Sequence, residues 1–169
     1  MKRLLILLCN IFPLVLTGCG YIARAIFLRN NSTIVIAAVP GCTFYGSIDK
    51  GNYPDTLLPE NGNNISFDRI NKGDRAFLLG RSGNLDVVLD WFLPNDTLSI
   101  YVFDSDTLDV YNWNQIREGY KVAVRYDLTK EDIKKRTGEV IPFPPNKKMK
   151  RVHMYPPYEE VIAKYGKSE

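Results

Sequence analysis

A chain of 169 residues, 45% hydrophobic and 12% aromatic, is long enough to bury a core and too apolar to remain disordered. Its 22 Lys and Arg stand against 19 Asp and Glu. That balance lacks the basic excess of a nucleic-acid binder, so no nucleic acid is expected as a partner.

Lys2 and Arg3 hold the N-terminus on the cytoplasmic side while the apolar run Leu4 to Leu16 enters the bilayer as a short helix. The run closes on Leu16-Thr17-Gly18-Cys19, small residues before a cysteine, which is the form of a bacterial lipoprotein signal. On this reading residues 1–18 are a signal peptide and Cys19 becomes the first residue of the mature chain. Its thiolate takes a diacylglyceryl group and its new amine a further acyl chain such as palmitate, and two or three chains make a stable anchor. A transmembrane helix is a poorer fit, because the run is shorter than the roughly 20 residues a span requires and is interrupted by Asn10 and Pro13. A plain secretory signal would need no cysteine at that place. Loss of residues 1–18 leaves 20 basic against 19 acidic side chains, a nearly neutral domain. It also discards Cys9, so Cys42 is the one free thiol and no intramolecular disulfide can form. The setting of Cys42, Val39-Pro40-Gly41-Cys42-Thr43-Phe44, reads as a turn into a strand.

A short membrane-proximal tether, residues 19–24, leads into a single globular domain, residues 25–169. Ala25-Ile26-Phe27-Leu28 and Thr33-Ile34-Val35-Ile36-Ala37 flank Asn30-Asn31-Ser32, whose turn chemistry predicts a hairpin. The domain is expected close to the membrane, where Arg24 and Arg29 could meet phosphate headgroups, although two scattered arginines are more often simply solvated. Residues 46–62 are dominated by Gly, Pro, Asn and Asp and read as loop. Ile65-Ser66-Phe67 predicts a short strand, and Ala76-Phe77-Leu78-Leu79 a buried one between Gly73 and Gly80. After Ser82 a helix is expected, with Asn84 as cap, Asp86 in the first turn and Pro94 beyond its end.

The clearest strand pattern follows. Leu98, Ile100 and Val102 alternate with Ser99, Tyr101 and Phe103; Val122, Val124, Tyr126 and Leu128 alternate with Lys121, Ala123, Arg125 and Asp127. Between them Trp113, Ile116 and Arg117 fit a helical turn or two. Thr129 followed three residues later by Asp132 predicts a helix start, Gly138 its end, and Ile133 its one core side chain. From about residue 141 the chain is proline-rich and basic: Pro142, Pro144 and Pro145 force extended backbone, Lys147 to Arg151 are basic, and Pro156-Pro157 opens a terminal helix ending before Gly166. The expected fold is mainly β, bordering on α+β: a single antiparallel β-sheet or sandwich domain with a few short helices.

The segments Asn30-Asn31-Ser32, Tyr53-Pro54-Asp55-Thr56, Asp96 to Asp104, and Arg125-Tyr126-Asp127-Leu128-Thr129 with Asp132-Ile133 give the chain a family likeness. From about Ala25 to Pro145 it resembles the small lipoproteins of gut Bacteroidales, a family without an established activity. A tryptophan expected before the prolines is absent around Glu139-Val140-Ile141. The resemblance implies outer-membrane anchoring. It also implies O-glycosylation where Asp precedes Ser or Thr and a small apolar residue, which marks Thr56, Thr97 and Thr107, each in an Asp-Thr-Leu triplet. Export to the cell surface in that lineage uses acidic residues just after the cysteine. Gly20-Tyr21-Ile22-Ala23-Arg24 has none, so the periplasmic face is expected.

Catalytic and metal-binding patterns are sparse. His153 is the one histidine, set among Arg151, Val152 and Met154, and no glycine-flanked serine elbow exists. One remaining cysteine and one histidine exclude structural zinc. Asp104, Asp106 and Asp109 cluster but lack the glycine and terminal glutamate of a calcium hand. No catalytic residue, metal or cofactor is assigned. Trp91, Trp113 and the tyrosines suit sugar faces, though most are expected in the core. The expected partners are membrane lipid through Cys19 and an envelope protein or polysaccharide, with a non-catalytic binding or structural role. The alternative is a small periplasmic hydrolase using acidic loop residues, Asp86, Asp90 or the Asp104 group.

Overall fold

A computed structural model of the protein describes residues 23–41, 53–62, 64–82, 84–93 and 96–166. The chain is mainly β, with two sheets and short helices at their margins. Three strands, β1 (Ala23–Asn30), β4 (Arg75–Ser82) and β7 (Val140–Phe143), form one sheet in the order β4-β1-β7. The other has five, in the order β3-β2-β5-β6-β8: β2 (Ile36–Gly41), β3 (Arg69–Ile70), β5 (Thr97–Asp104), β6 (Val124–Thr129) and β8 (His153–Tyr155). Every described pairing is antiparallel except β1 with β7, which is parallel.

The main core contains side chains from both sheets. Ile26, Leu28, Leu79, Ile141 and Phe143 come from the smaller sheet, and Ile36, Leu98, Ile100, Val102, Tyr126 and Leu128 from the larger. The alternation in β5 works as the sequence predicts: Leu98, Ile100 and Val102 enter this core, while Tyr101 and Phe103 join Val39, Leu58 and Ile116 in a second cluster. Both faces of β5 are therefore covered, the second by the segment around Leu58 and by α3 (Trp113–Glu118). The tether yields its last two residues to β1, where Ala23 and Arg24 pair with Ser82 and Arg81.

The predicted hairpin does not form, since β1 and β2 belong to different sheets. Asn30 sets this crossing. It is fully buried, its amide donates to the carbonyls of Ile34 (2.7 Å) and Ile70 (2.9 Å), and its own oxygen accepts from the amide and hydroxyl of Ser32. These bonds carry the chain from one sheet to the other, whereas a tight turn would have kept the strands side by side.

Two further departures come from local slips in the pleat. In β4 the register against β1 shifts between Ile26 and Phe27, and the extra residue, Leu78, lets both Leu78 and Leu79 face inward. Before β6 the backbone turns at Tyr120, which has a φ of 43°. The alternation therefore begins only at Val124: Ala123 lies in the main core, and Val122 packs on the second cluster. Ile65 makes only an isolated bridge, the strand in this region being Arg69–Ile70.

Helix starts follow their caps. Asn84 accepts from the Val87 amide at the head of α1 (Leu85–Phe92), and Asn112 and Gln115 form a reciprocal capping box on α3. Thr129 and Asp132 do the same for α4 (Lys130–Asp132), which continues as a π-helical turn to Thr137 and stops at Gly138, φ 66°. Ile133 is its fully buried anchor. Pro156-Pro157 precede α5 (Tyr158–Tyr165). The sequence reading omits α2 (Ser105–Val110), capped by Asp104, and β8.

Candidate functional site

Pairing of β5, β6 and β8 places Ser99 opposite Asp127 and Asp127 opposite His153, one row of three side chains across the larger sheet. The Ser99 hydroxyl donates to Asp127 Oδ1 at 2.7 Å, and His153 Nδ1 lies 2.8 Å from Oδ2. Arg125, two residues earlier on the same face, lays Nε 3.1 Å from both oxygens and Nη2 3.0 Å from Oδ2. The Asp127 side chain is 1% exposed and that of Arg125 11%, so this is a buried, hydrogen-bonded ion pair.

Arg125 extends the network outward. Its Nη1 donates to Thr56 Oγ1 (2.9 Å) and to the Tyr120 hydroxyl (2.6 Å), which in turn donates to the Thr56 carbonyl (3.0 Å). Burial alone would lower the Arg125 pKa, but the Tyr120 hydrogen bond and the Asp127 charge outweigh it and hold the guanidinium above its ordinary range. Burial pushes the neighbouring Tyr101 phenol up, with charge repulsion from Tyr120 adding to it. The rim is aromatic: Tyr120 and Tyr155 meet edge to face at 5.5 Å, and Tyr53 meets His153 at 5.8 Å. Tyr53, Tyr155 and the His153 ring reach solvent. The result is a shelf with a rigid ionic floor.

Ser, Asp and His occur here in an order that does not make a nucleophile. Nucleophilic catalysis needs histidine next to serine, to take its proton. In this row Asp127 stands between them, and Ser99 is fully buried. With donors from Ser99, Arg125 and His153, the carboxylate has its acceptor sites filled. The shelf offers contact and hydrogen bonding from His153 and the rings.

The acids named from sequence are engaged in separate ion pairs and caps. Asp86 pairs with Lys134, Asp90 shares Lys130 with Asp96, Asp109 pairs with Arg69 (2.6 Å), and Asp104 caps α2 through the Asp106 amide. Hydrogen bonds to Asp90 and Asp96 hold Lys130 above its ordinary range. Among the described residues no group of three or more His, Cys, Asp or Glu is placed to hold a metal ion. A groove of about 620 Å³ runs between Pro144, Pro145 and α5, and a polar cleft of about 610 Å³ is lined by Arg29, Arg69, Asp74 and Arg75. Neither is lined by Asp86, Asp90, Asp104, Asp106 or Asp109.

Thr56, Thr97 and Thr107 are each half-buried. Thr56 lies in the Arg125 network, and Asp55 ahead of it accepts from the Leu57 amide. Thr97 opens β5 after Asp96, whose φ is 58°, and Leu98 behind it is fully buried. Thr107 lies within α2. Cys19 and Cys42 fall outside the described residues, while Val39, Pro40 and Gly41, read as part of a turn, pair with Tyr101, Ile100 and Ser99 as the end of β2. The Ser99-Asp127-His153 row was missed from sequence, although the alternation had already set Arg125 and Asp127 opposite the core residues of their strand. No helix among the described residues is long and apolar enough to cross a membrane. No protein-family model matches the chain, and no curated protein or solved structure matches it either.

Proposed function

We propose that this chain is a lipid-anchored cell-envelope lipoprotein, akin to the small lipoproteins of Bacteroidales, held by Cys19 at the periplasmic face of the outer membrane. Its folded domain serves as a non-catalytic binding or structural module for an envelope protein or polysaccharide. The observation that carries the non-catalytic part is the engagement of the candidate carboxylates: Asp86, Asp90 and Asp109 are each held in an ion pair with a basic side chain. Glycoside hydrolysis needs two carboxyls flanking one bond, roughly 5–9.5 Å apart. The shelf of Tyr53, His153 and Tyr155 supports the binding part, because flat rings with hydrogen-bonding edges suit sugar faces and polar protein surfaces alike.

Envelope polysaccharide extracted from the native cells, passed over the immobilised chain and sized by mass spectrometry, tests the role. Retention at unchanged length is expected, and shortened chains would overturn the non-catalytic reading. Peptide mass spectrometry of the protein purified from those cells reads the modifications. An acyl mass is expected on Cys19 and a glycan on a peptide bearing Thr56, Thr97 or Thr107. A bare Cys19 would remove the anchor, and bare threonines the glycosylation.

A further inference from the structure

The outward face of the three-stranded sheet carries an arrangement that the fold itself leaves unbalanced. Arg29 of β1 and Arg75 of β4 are direct cross-strand partners, and like charges so placed repel. Both are exposed, and neither has a carboxylate within ion-pair distance among the described residues. One step along the same face, Phe27 meets Phe77 edge to face at 6.0 Å, and the Arg75 guanidinium lies 4.8 Å from the Phe27 ring centre. Phe77 is 57% exposed in mid-strand. An aromatic pair, Phe77 exposed and Phe27 half-buried, beside two arginines without ion-pair partners among the described residues matches the membrane interface, where rings enter the headgroup layer and guanidinium groups meet phosphates.

The chain leading to this face decides which anion is meant. β1 begins at Ala23, four residues after Cys19, and four residues span at most about 14 Å. Ala23 to Arg29 is itself about 20 Å of strand. With the acyl chains of Cys19 in the bilayer, β1 starts at the surface, and a sheet lying flat brings Phe27, Arg29, Arg75 and Phe77 to the headgroups together. Three other charged groups near this face are already paired or bonded: Arg24 with Glu139, Arg69 with Asp109, and Asp74 with the Asn71 amide.

We propose that the outer face of the β4-β1-β7 sheet is a membrane-docking surface on which the domain lies against a phospholipid leaflet, Phe27 and Phe77 entering the headgroup layer and Arg29 and Arg75 binding lipid phosphates. This rests on lipidation of Cys19. The aromatic shelf lies on the larger sheet, on the face turned away from the shared core, and so points away from the leaflet toward its partner.

The test uses the full lipidated chain in vesicles of phosphatidylcholine with about one third phosphatidylglycerol, some carrying brominated acyl chains that quench nearby tryptophan. Phe77→Trp adds fluorescence on the sheet face; Val110→Trp adds it on α2, at a residue 70% exposed. The expected result is at least twofold stronger quenching of the added emission in Phe77→Trp than in Val110→Trp, reduced severalfold when Arg29→Glu and Arg75→Glu are introduced. Equal quenching of the two, or quenching indifferent to the arginines, overturns the docking surface while the chain still floats with the vesicles. Concentration-dependent cross-linking through an unquenched Phe77 face would assign it to a second copy instead and also overturn the proposal. A chain that does not float with vesicles overturns the lipid anchor, and the docking surface that rests on it falls too.

Discussion

Replacing Asp127 by alanine should be among the most damaging single changes in the domain. The carboxylate is 1% exposed and is, among the described residues, the one counter-charge within reach of Arg125, whose side chain is 11% exposed. Its removal leaves a guanidinium buried without a counter-ion, which typically costs about 3–5 kcal/mol. Domains of this kind carry only about 5–15 kcal/mol in all. Ser99→Ala deletes one hydrogen bond to a carboxylate that keeps its other donors, and should cost less, about 1–2 kcal/mol. Removing both charges as Arg125→Met with Asp127→Leu leaves no ion stranded, so the double variant should be more stable than the sum of the single ones by about 2 kcal/mol or more. Equilibrium urea unfolding followed by tryptophan fluorescence and circular dichroism gives all of these values. A cost below about 1 kcal/mol for Asp127→Ala, or strict additivity in the cycle, would refute the view that this ion pair fastens the Thr56 segment to the sheet.

Asn30→Leu fills a similar volume but leaves the buried carbonyls of Ile34 and Ile70 without their donor. A loss of about 2–4 kcal/mol is expected, with faster hydrogen exchange at the β1–β2 crossing; an unchanged urea midpoint would contradict the role given to Asn30. Alkaline pH should also destabilise the domain. Burial holds the Tyr101 and Tyr126 phenols above their ordinary pKa, so their stabilising effect is whole below pH ~10 and lost as the pH rises. Each contributes a slope of about 1.4 kcal/mol per pH unit above that point. Urea midpoints between pH 9 and 11.5 should fall steeply, and Tyr126→Phe should remove about half of the tyrosine-dependent slope; equal slopes in both proteins would contradict the assignment.

What could be read from the chain alone was what nearest neighbours decide. Caps on Asn84 and Thr129 work within four residues, and the alternation through Leu98, Ile100 and Val102 needs only a period of two. Partners distant in sequence were not legible. Asn30-Asn31-Ser32 has hairpin chemistry, but the Asn30 side chain bonds to Ile70, forty residues on, and that contact selects the crossing. Leu78 and Leu79 look like a break in alternation until the bulge opposite Ile26 and Phe27 is seen. The site shows the same limit most sharply. Ser99 and His153 lie 28 and 26 residues from Asp127, and they become a row only when β5, β6 and β8 pair. β8 is three residues long, too short to show a periodicity of its own.

Membrane fractionation of the native cells, comparing the wild-type chain with Cys19→Ala, bears most directly on the account as a whole. The wild-type protein should sediment with the outer membrane and partition into detergent, whereas Cys19→Ala should appear in the soluble fraction or retain its leader. Equal membrane association of the two, with the leader removed from both, would contradict a lipid anchor at Cys19 and the orientation built on it.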